Sequence, residues 1–183
     1  MLAPTGIGAL YGRAELLDAL PPFLTGGSMI TRVELQDADY MPAPIKFEAG
    51  TQRVSQAVAF AEAVRYLQHL GMDNVHAWEQ ELGARLVAGV QNIEGVRLLG
   101  PTDPNKRAGL VSLGIDGVHP HDAGQLLDTK GIAVRVGHHC AQPLHRGAGL
   151  TASTRASAYL YNTTEDIDAF LAALAEVRPY FGL

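Results

Sequence analysis

The stretch RVGHHCAQP, residues 135–143, holds the one cysteine of the chain, with two histidines directly before it. A thiolate is a nucleophile, and its neighbours decide how much of it exists at neutral pH. Gly137 permits an unusual backbone turn ahead of the thiol. Cys140 is therefore expected on an exposed loop at a strand end, where function concentrates. The competing reading is a small buried hydrophobe, the common fate of a lone cysteine, against which the polar GHHC context argues. Metal binding is a third reading. His119, His121, His138, His139, Cys140 and His145 are candidate ligands, and zinc accepts such mixtures. Their spacings match no zinc module, and His138 and His139, adjacent in an extended loop, are expected to point to opposite sides. No resident metal is expected.

Two further positions carry chemistry. Arg155, in STRASAYLYN, can grip a carboxylate through two parallel hydrogen bonds, or it is an ordinary surface arginine. Gly50-Thr51 ends a loop ahead of a confident helical pattern, where backbone N–H groups and a hydroxyl suit a phosphate. The alternative for Thr51 is plain N-capping.

The elements that must position these residues read as α/β. Residues 6–12, GIGALYG, read as a short buried strand, and RAELLDALPPF as helical turns stopped by Pro21 and Pro22. Residues 25–50 are loop-rich, which is unusual enough in a compact domain to suggest function or an absent partner. Residues 54–70 form a helix with an apolar face including Val54, Val58, Ala61, Val64, Tyr66 and Leu67, closed by Gly71. A second helix, capped by Asp73 or Asn74, leads into strands at GVRLLG and AGLVSLGID. His121 or Asp122 opens a short helix that Gly131 ends. The strand IAVRVG delivers Arg135 to its end, and TRASAYLYN is another strand. Asn162 and Glu165 form a capping pair for a last helix with Ile167, Phe170, Leu171, Leu174 and Val177 on one face. Residues 72–183 thus suit an α+β layer with helices on one sheet face.

Composition narrows the function classes. The chain has 183 residues, 47% hydrophobic and 18% charged, with a net charge of −5. That describes a soluble globular protein with no broad basic surface for nucleic acid and no apolar run able to span a bilayer. A single cysteine excludes an internal disulfide framework, so a reducing cytoplasm is the expected compartment.

PTGIGALYG, GGSMI, FEAGT, RVGHHCAQP and TRASAYLYN occur here in the order found in the SUF-type, or group II, cysteine desulfurases. The chain resembles that family along its whole length. The resemblance implies the C-terminal part of a fold-type I, pyridoxal-phosphate-dependent transferase of aminotransferase class V. It implies a homodimer that converts L-cysteine to L-alanine and passes persulfide sulfur to an acceptor for iron–sulfur cluster assembly. By the same resemblance Cys140 takes the sulfur, Arg155 clamps the substrate carboxylate and Arg135 shapes the mouth of the site. Gly50 and Thr51 reach the cofactor phosphate of the neighbouring subunit. His121, in HPHD, resembles a histidine that captures the zinc of a scaffold-like acceptor, with Asp122 as a possible orienter of its ring. The alternative for His121 is a plain helix-start residue.

In the family PTGIGALYG follows shortly after a His-Lys pair whose lysine forms the Schiff base with pyridoxal phosphate. That lysine is absent here, and Lys46, Lys106 and Lys130 stand in no matching motif. The expectation is a remnant of the large cofactor domain at residues 1–53, a connecting helix at 54–71 and a complete small domain at 72–183. Alone, such a chain is expected to be inactive. It is read as a fragment, or as one half of a split enzyme that still contacts the acceptor.

Overall fold

A computed structural model describes residues 1–183. It divides into two compact units, Met1–Leu70 and Gly71–Leu183.

The first unit holds α1 (Ala14–Ala19), the antiparallel hairpin β1 (Ile30–Val33) and β2 (Ala38–Tyr40), and α2 (Val54–Leu70). Helix α1 ends at Leu20, ahead of Pro21-Pro22, as the restricted residue before proline requires. Within the loop-rich residues 25–50 the hairpin is the element that the sequence reading lacked. Ile30, Val33 and Tyr40 are strand formers, the Glu34 N–H donates to the Asp37 carbonyl at 2.8 Å, and Met29 beside β1 is fully buried. The buried strand expected at residues 6–12 is not formed. That stretch is irregular, and Leu10 and Tyr11 are 89% and 90% exposed. A strand exists only by pairing, and the unit's one sheet consists of β1 and β2 alone, with no ladder to residues 6–12. Helix α2 has the expected bounds but not the expected burial: Ala63 and Leu67 are buried, while Val54, Val58 and Tyr66 are exposed.

The second unit is a four-stranded antiparallel sheet covered on one face by helices. Its elements are α3 (Met72–Gln91), β3 (Val96–Leu98), β4 (Leu110–Ile115), α4 (Pro120–Thr129), β5 (Arg135–Gly137), α5 (Gln142–Gly147), β6 (Ser153–Ser157), α6 (Thr164–Ala175) and α7 (Val177–Tyr180), with strand order β3-β4-β6-β5. Val111, Leu113 and Ile115 alternate along β4 into a core filled from α3, α4 and α6 by Leu82, Leu86, Leu127, Phe170 and Leu174. The same period sends Ser153 and Arg155 of β6 to the opposite face, away from Ala156 in the core.

Four local readings shift. Helix α3 starts from Gly71 (φ +84°) rather than from a cap at Asp73 or Asn74, because one glycine both ends α2 and turns the chain. His119, not His121 or Asp122, caps α4: its Nδ1 accepts the His121 N–H at 3.3 Å, and Pro120 fills the first helical position. Arg135 begins β5 rather than ending a longer strand. The capping box of α6 is Thr163 with Asp166, one residue beyond the expected pair. Asn162 instead accepts the Tyr159 N–H at 3.0 Å.

Candidate active site at the β5–β6 edge

Register brings the site together. In the β5–β6 ladder Arg135 lies opposite Arg155, and Gly137 opposite Ser153. Two arginines directly opposite repel, so the pair calls for an anion. Arg155 Nε is buried and has no hydrogen-bond partner. A buried guanidinium N–H without an acceptor is costly, and a carboxylate supplies two acceptors in the matching geometry.

After β5 the chain turns sharply. Gly137, His139 and Cys140 all have positive φ, at +120°, +52° and +61°. Two non-glycine residues in the left-handed region cost about 1–2 kcal/mol each and persist only where surroundings hold them. The Ala141 N–H donates to the His138 carbonyl at 2.8 Å and closes the turn. Cys140 is exposed, which excludes the buried-hydrophobe reading. Its Sγ lies 4.0 Å from Arg135 Nη2, so a permanent cation stands beside the sulfur. Arg135, Val136, His138, His139, Cys140 and Gln142 line a shallow, open depression.

The turn rewrites the geometry expected for His138 and His139. In a left-handed turn the alternation of an extended chain does not apply, and both rings lie beside His145, at 6.2 Å and 5.6 Å between centroids. His139 Nε2 is 3.0 Å from Ser153 Oγ, and His145 Nε2 is 2.9 Å from the same oxygen. Burial, then the neighbouring Arg155, His145 and Arg135 side chains, push the His139 pKa below its usual value. Ser153 escaped the sequence reading as a site residue, and His145 entered it only as a candidate metal ligand. Ser153 was legible in principle, two residues before Arg155 and so on the same sheet face. His145 sits on α5, which the reading lacked although Pro143 in its first turn is a start signal.

His121 lies elsewhere in the second unit, exposed at the start of α4. Its ring stacks on His119, at 5.4 Å and 9° between planes. Asp122 makes no hydrogen bond to it, so His119 is the residue that orients the ring. No three His, Cys, Asp or Glu side chains converge as a metal site would require.

In the first unit Gly50 takes φ +81°, and its N–H is already engaged by the Gly27 carbonyl at 2.8 Å. The GGS turn and the Gly50 turn thus brace each other. Thr51 is exposed ahead of α2, which starts at Val54, and does not cap it. The lysines are engaged elsewhere. Lys46 is buried and donates to the Asp18 carbonyl at 2.8 Å, Lys106 faces Asp103 at 3.8 Å, and Lys130 pairs with Glu176. Each of the three lysines thus has a carbonyl or carboxylate partner within its own unit.

The description of the aminotransferase class-V family matches residues 1–170. The chain belongs to the aminotransferase class-V family. Among curated relatives, "Probable cysteine desulfurase 2" of Mycobacterium leprae is 52% identical over 182 residues, covering 100% of this chain and 44% of its own length. "Probable cysteine desulfurase" of Streptomyces coelicolor is 50% identical with the same coverage. The apo cysteine desulfurase of Thermococcus onnurineus superposes with a TM-score of 0.89 at 38% identity, covering 99% of this chain and 44% of that one. The Escherichia coli desulfurase CsdA, in an S-sulfonic acid form, gives 0.88 at 34% identity, covering 97% of this chain and 44% of that one. The α/β fold is thus the fold of cysteine desulfurases, and the chain spans less than half the length of these relatives. No helix is long and apolar enough to cross a membrane.

Proposed function

We propose that this chain is the nucleophile-bearing part of a SUF-type cysteine desulfurase, a cytoplasmic homodimer that converts L-cysteine to L-alanine and hands on the sulfur for iron–sulfur cluster assembly. One observation carries the reading: an exposed thiol held in a left-handed turn beside two opposed arginines, one with an unpaired buried N–H. Residues 1–53 belong to a larger cofactor domain, 54–71 to a connecting helix and 72–183 to the small domain. Exposure of Leu10, Tyr11 and Phe23 supports a covering partner for the first unit.

Each of the site residues has a task in this reading. Arg155 binds and orients the substrate carboxylate through its fork, and Arg135 flanks the entrance and faces the sulfur. Thr51 donates its hydroxyl to the cofactor phosphate of the neighbouring subunit, with Gly50 shaping the approach. Bound pyridoxal phosphate supplies the electron sink for breaking the substrate's C–S bond. Cys140 Sγ, as thiolate, forms a bond to the substrate sulfur as that C–S bond breaks. The electron pair left on the substrate carbon takes a proton. Enzyme thiol plus cysteine thereby become enzyme persulfide plus alanine, with atoms and electrons balanced.

The complete enzyme, loaded with pyridoxal phosphate, is expected to release alanine and sulfur in equal amounts from L-cysteine. The 183-residue chain alone, given the cofactor, is expected to show neither a visible absorption band of lysine-bound cofactor nor turnover. Alanine formation by the chain alone would overturn the assignment of the imine lysine to another segment.

His121 belongs to the acceptor step. An exposed imidazole stacked on His119 is presented outward with its orientation set, as capture of a zinc ion carried by a sulfur acceptor requires. His121→Ala is expected to lower sulfur transfer to a zinc-bearing acceptor by about tenfold or more and to leave acceptor-free desulfuration unchanged. Equal loss of both rates would sink this role.

A further inference from the structure

Three polar side chains meet under the Cys140 turn, and their hydrogen atoms can be assigned. His145 is buried, and its Nδ1 lies 3.0 Å from the Ala141 carbonyl. A carbonyl only accepts, so that Nδ1 carries a proton. In a neutral ring Nε2 is then an acceptor, and the Ser153 hydroxyl donates to it across 2.9 Å. With its hydrogen so used, Ser153 Oγ accepts from His139 Nε2–H across 3.0 Å. His139 Nδ1 is left as a bare lone pair, and it is the one ring nitrogen buried without a partner. The opposite polarity requires a charged, buried His145 and leaves a buried N–H on His139 unsatisfied, which costs more than an idle lone pair.

The chain of bonds links α5, β6 and the turn. Ser153 is fully buried on β6, opposite Gly137, where the chain leaves β5. His139 directly precedes Cys140, and both are in the left-handed conformation that needs outside support. His145 closes the loop by holding the Ala141 carbonyl, the residue just after the thiol. The nucleophile is thus gripped on both sides through one serine.

We propose that Ser153 is a positioning residue for Cys140: through His139 and His145 it ties the thiol-bearing turn to β6, and the tie requires a neutral His139. The requirement is geometric. A proton on His139 Nδ1 finds no acceptor there. The groups facing the ring are Arg135 from β5, Arg155 from β6, His145 from α5 and the adjacent His138 and Cys140, with no carboxylate among them. Burial first, and then the neighbouring cations, lower the His139 pKa in the docked turn. A His whose docked pKa is depressed favours the docked state above its ordinary value of about 6.5, and docking weakens as pH falls below that. The inference rests on Cys140 being the working thiol only for its purpose; the tie itself is read without turnover.

Hydrogen exchange of the complete enzyme, followed by mass spectrometry on peptides covering residues 138–142, tests it. The reporter is the Ala141 amide, bonded to the His138 carbonyl. In wild type, protection corrected for intrinsic exchange is expected to be constant above about pH 7 and to fall as pH drops below about 6.5. Ser153→Ala loses both bonds, so protection at pH 7 is expected to fall roughly tenfold or more. Ser153→Thr keeps the hydroxyl and restores both. Unchanged protection in Ser153→Ala overturns the proposal. If Ser153→Ala does not fold, the wild-type profile decides, because a flat profile contradicts the tie. A tied turn with no sulfur on Cys140 would refute the desulfurase reading and leave the tie standing.

Discussion

Replacing Cys140 by serine is expected to remove persulfide formation altogether and to lower sulfur delivery to an acceptor on the order of 10³-fold or more. Serine is nearly isosteric, and the site is exposed, so folding is not at stake. What is lost is the atom. An alkoxide is scarcely populated at neutral pH, whereas a thiol is partly ionised and intrinsically nucleophilic. The left-handed turn around Cys140 and the Arg135 guanidinium 4.0 Å from its sulfur have no structural purpose that serine would fail to serve. A Cys140→Ser enzyme that kept wild-type transfer, measured as sulfide or acceptor-bound sulfur per unit time, would remove the chain's only thiol from the mechanism.

The second large effect falls on Arg155. Arg155→Met keeps much of the stem's packing and removes the fork. A hydrogen bond to a charged group is worth about 1.5–3 kcal/mol, and two parallel ones convert to a loss of roughly 10²- to 10⁴-fold in kcat/KM for L-cysteine. Arg155→Lys keeps the charge but replaces the planar fork by a point donor, so it is expected to recover only part of the loss. The opposed Arg135 sharpens the distinction. With no anion bound, removing one of two facing cations relieves repulsion, so Arg155→Met is expected to retain or gain thermal stability while losing activity. An Arg155→Lys enzyme indistinguishable from wild type would argue against a bidentate carboxylate clamp.

Much of this arrangement was legible in the residue order. The alternation in TRASAYLYN forecasts a strand, although β6 covers only Ser153–Ser157 and residues 158–162 are not strand, and the core face of α6 follows from Ile167, Phe170 and Leu174 at helical spacing. Capping was less legible. Thr163 and Asn162 are both good caps, and the choice fell to whichever let Asp166 close the box, a matter of one residue that tertiary packing decides. Helix α5 is too short for periodicity to reveal, at six residues, so its histidine looked like a spare metal ligand. The first unit failed differently. GIGALYG has the composition of a buried strand, but composition specifies a strand only when a neighbour exists to pair with, and Leu10 and Tyr11 stand in solvent instead. The Arg135–Arg155 opposition was invisible for the same kind of reason, since strand register is a long-range property that neither segment encodes alone.

The most direct test of Cys140 as sulfur receiver is the mass of the peptide that carries it. The complete enzyme, loaded with pyridoxal phosphate, would be given one equivalent of L-cysteine without acceptor or reductant, trapped by alkylation and digested. The account predicts that the peptide containing Cys140 gains the mass of one sulfur atom beneath the alkyl group, in step with the alanine released. Alanine released with that peptide left as the simple alkylated thiol would contradict it.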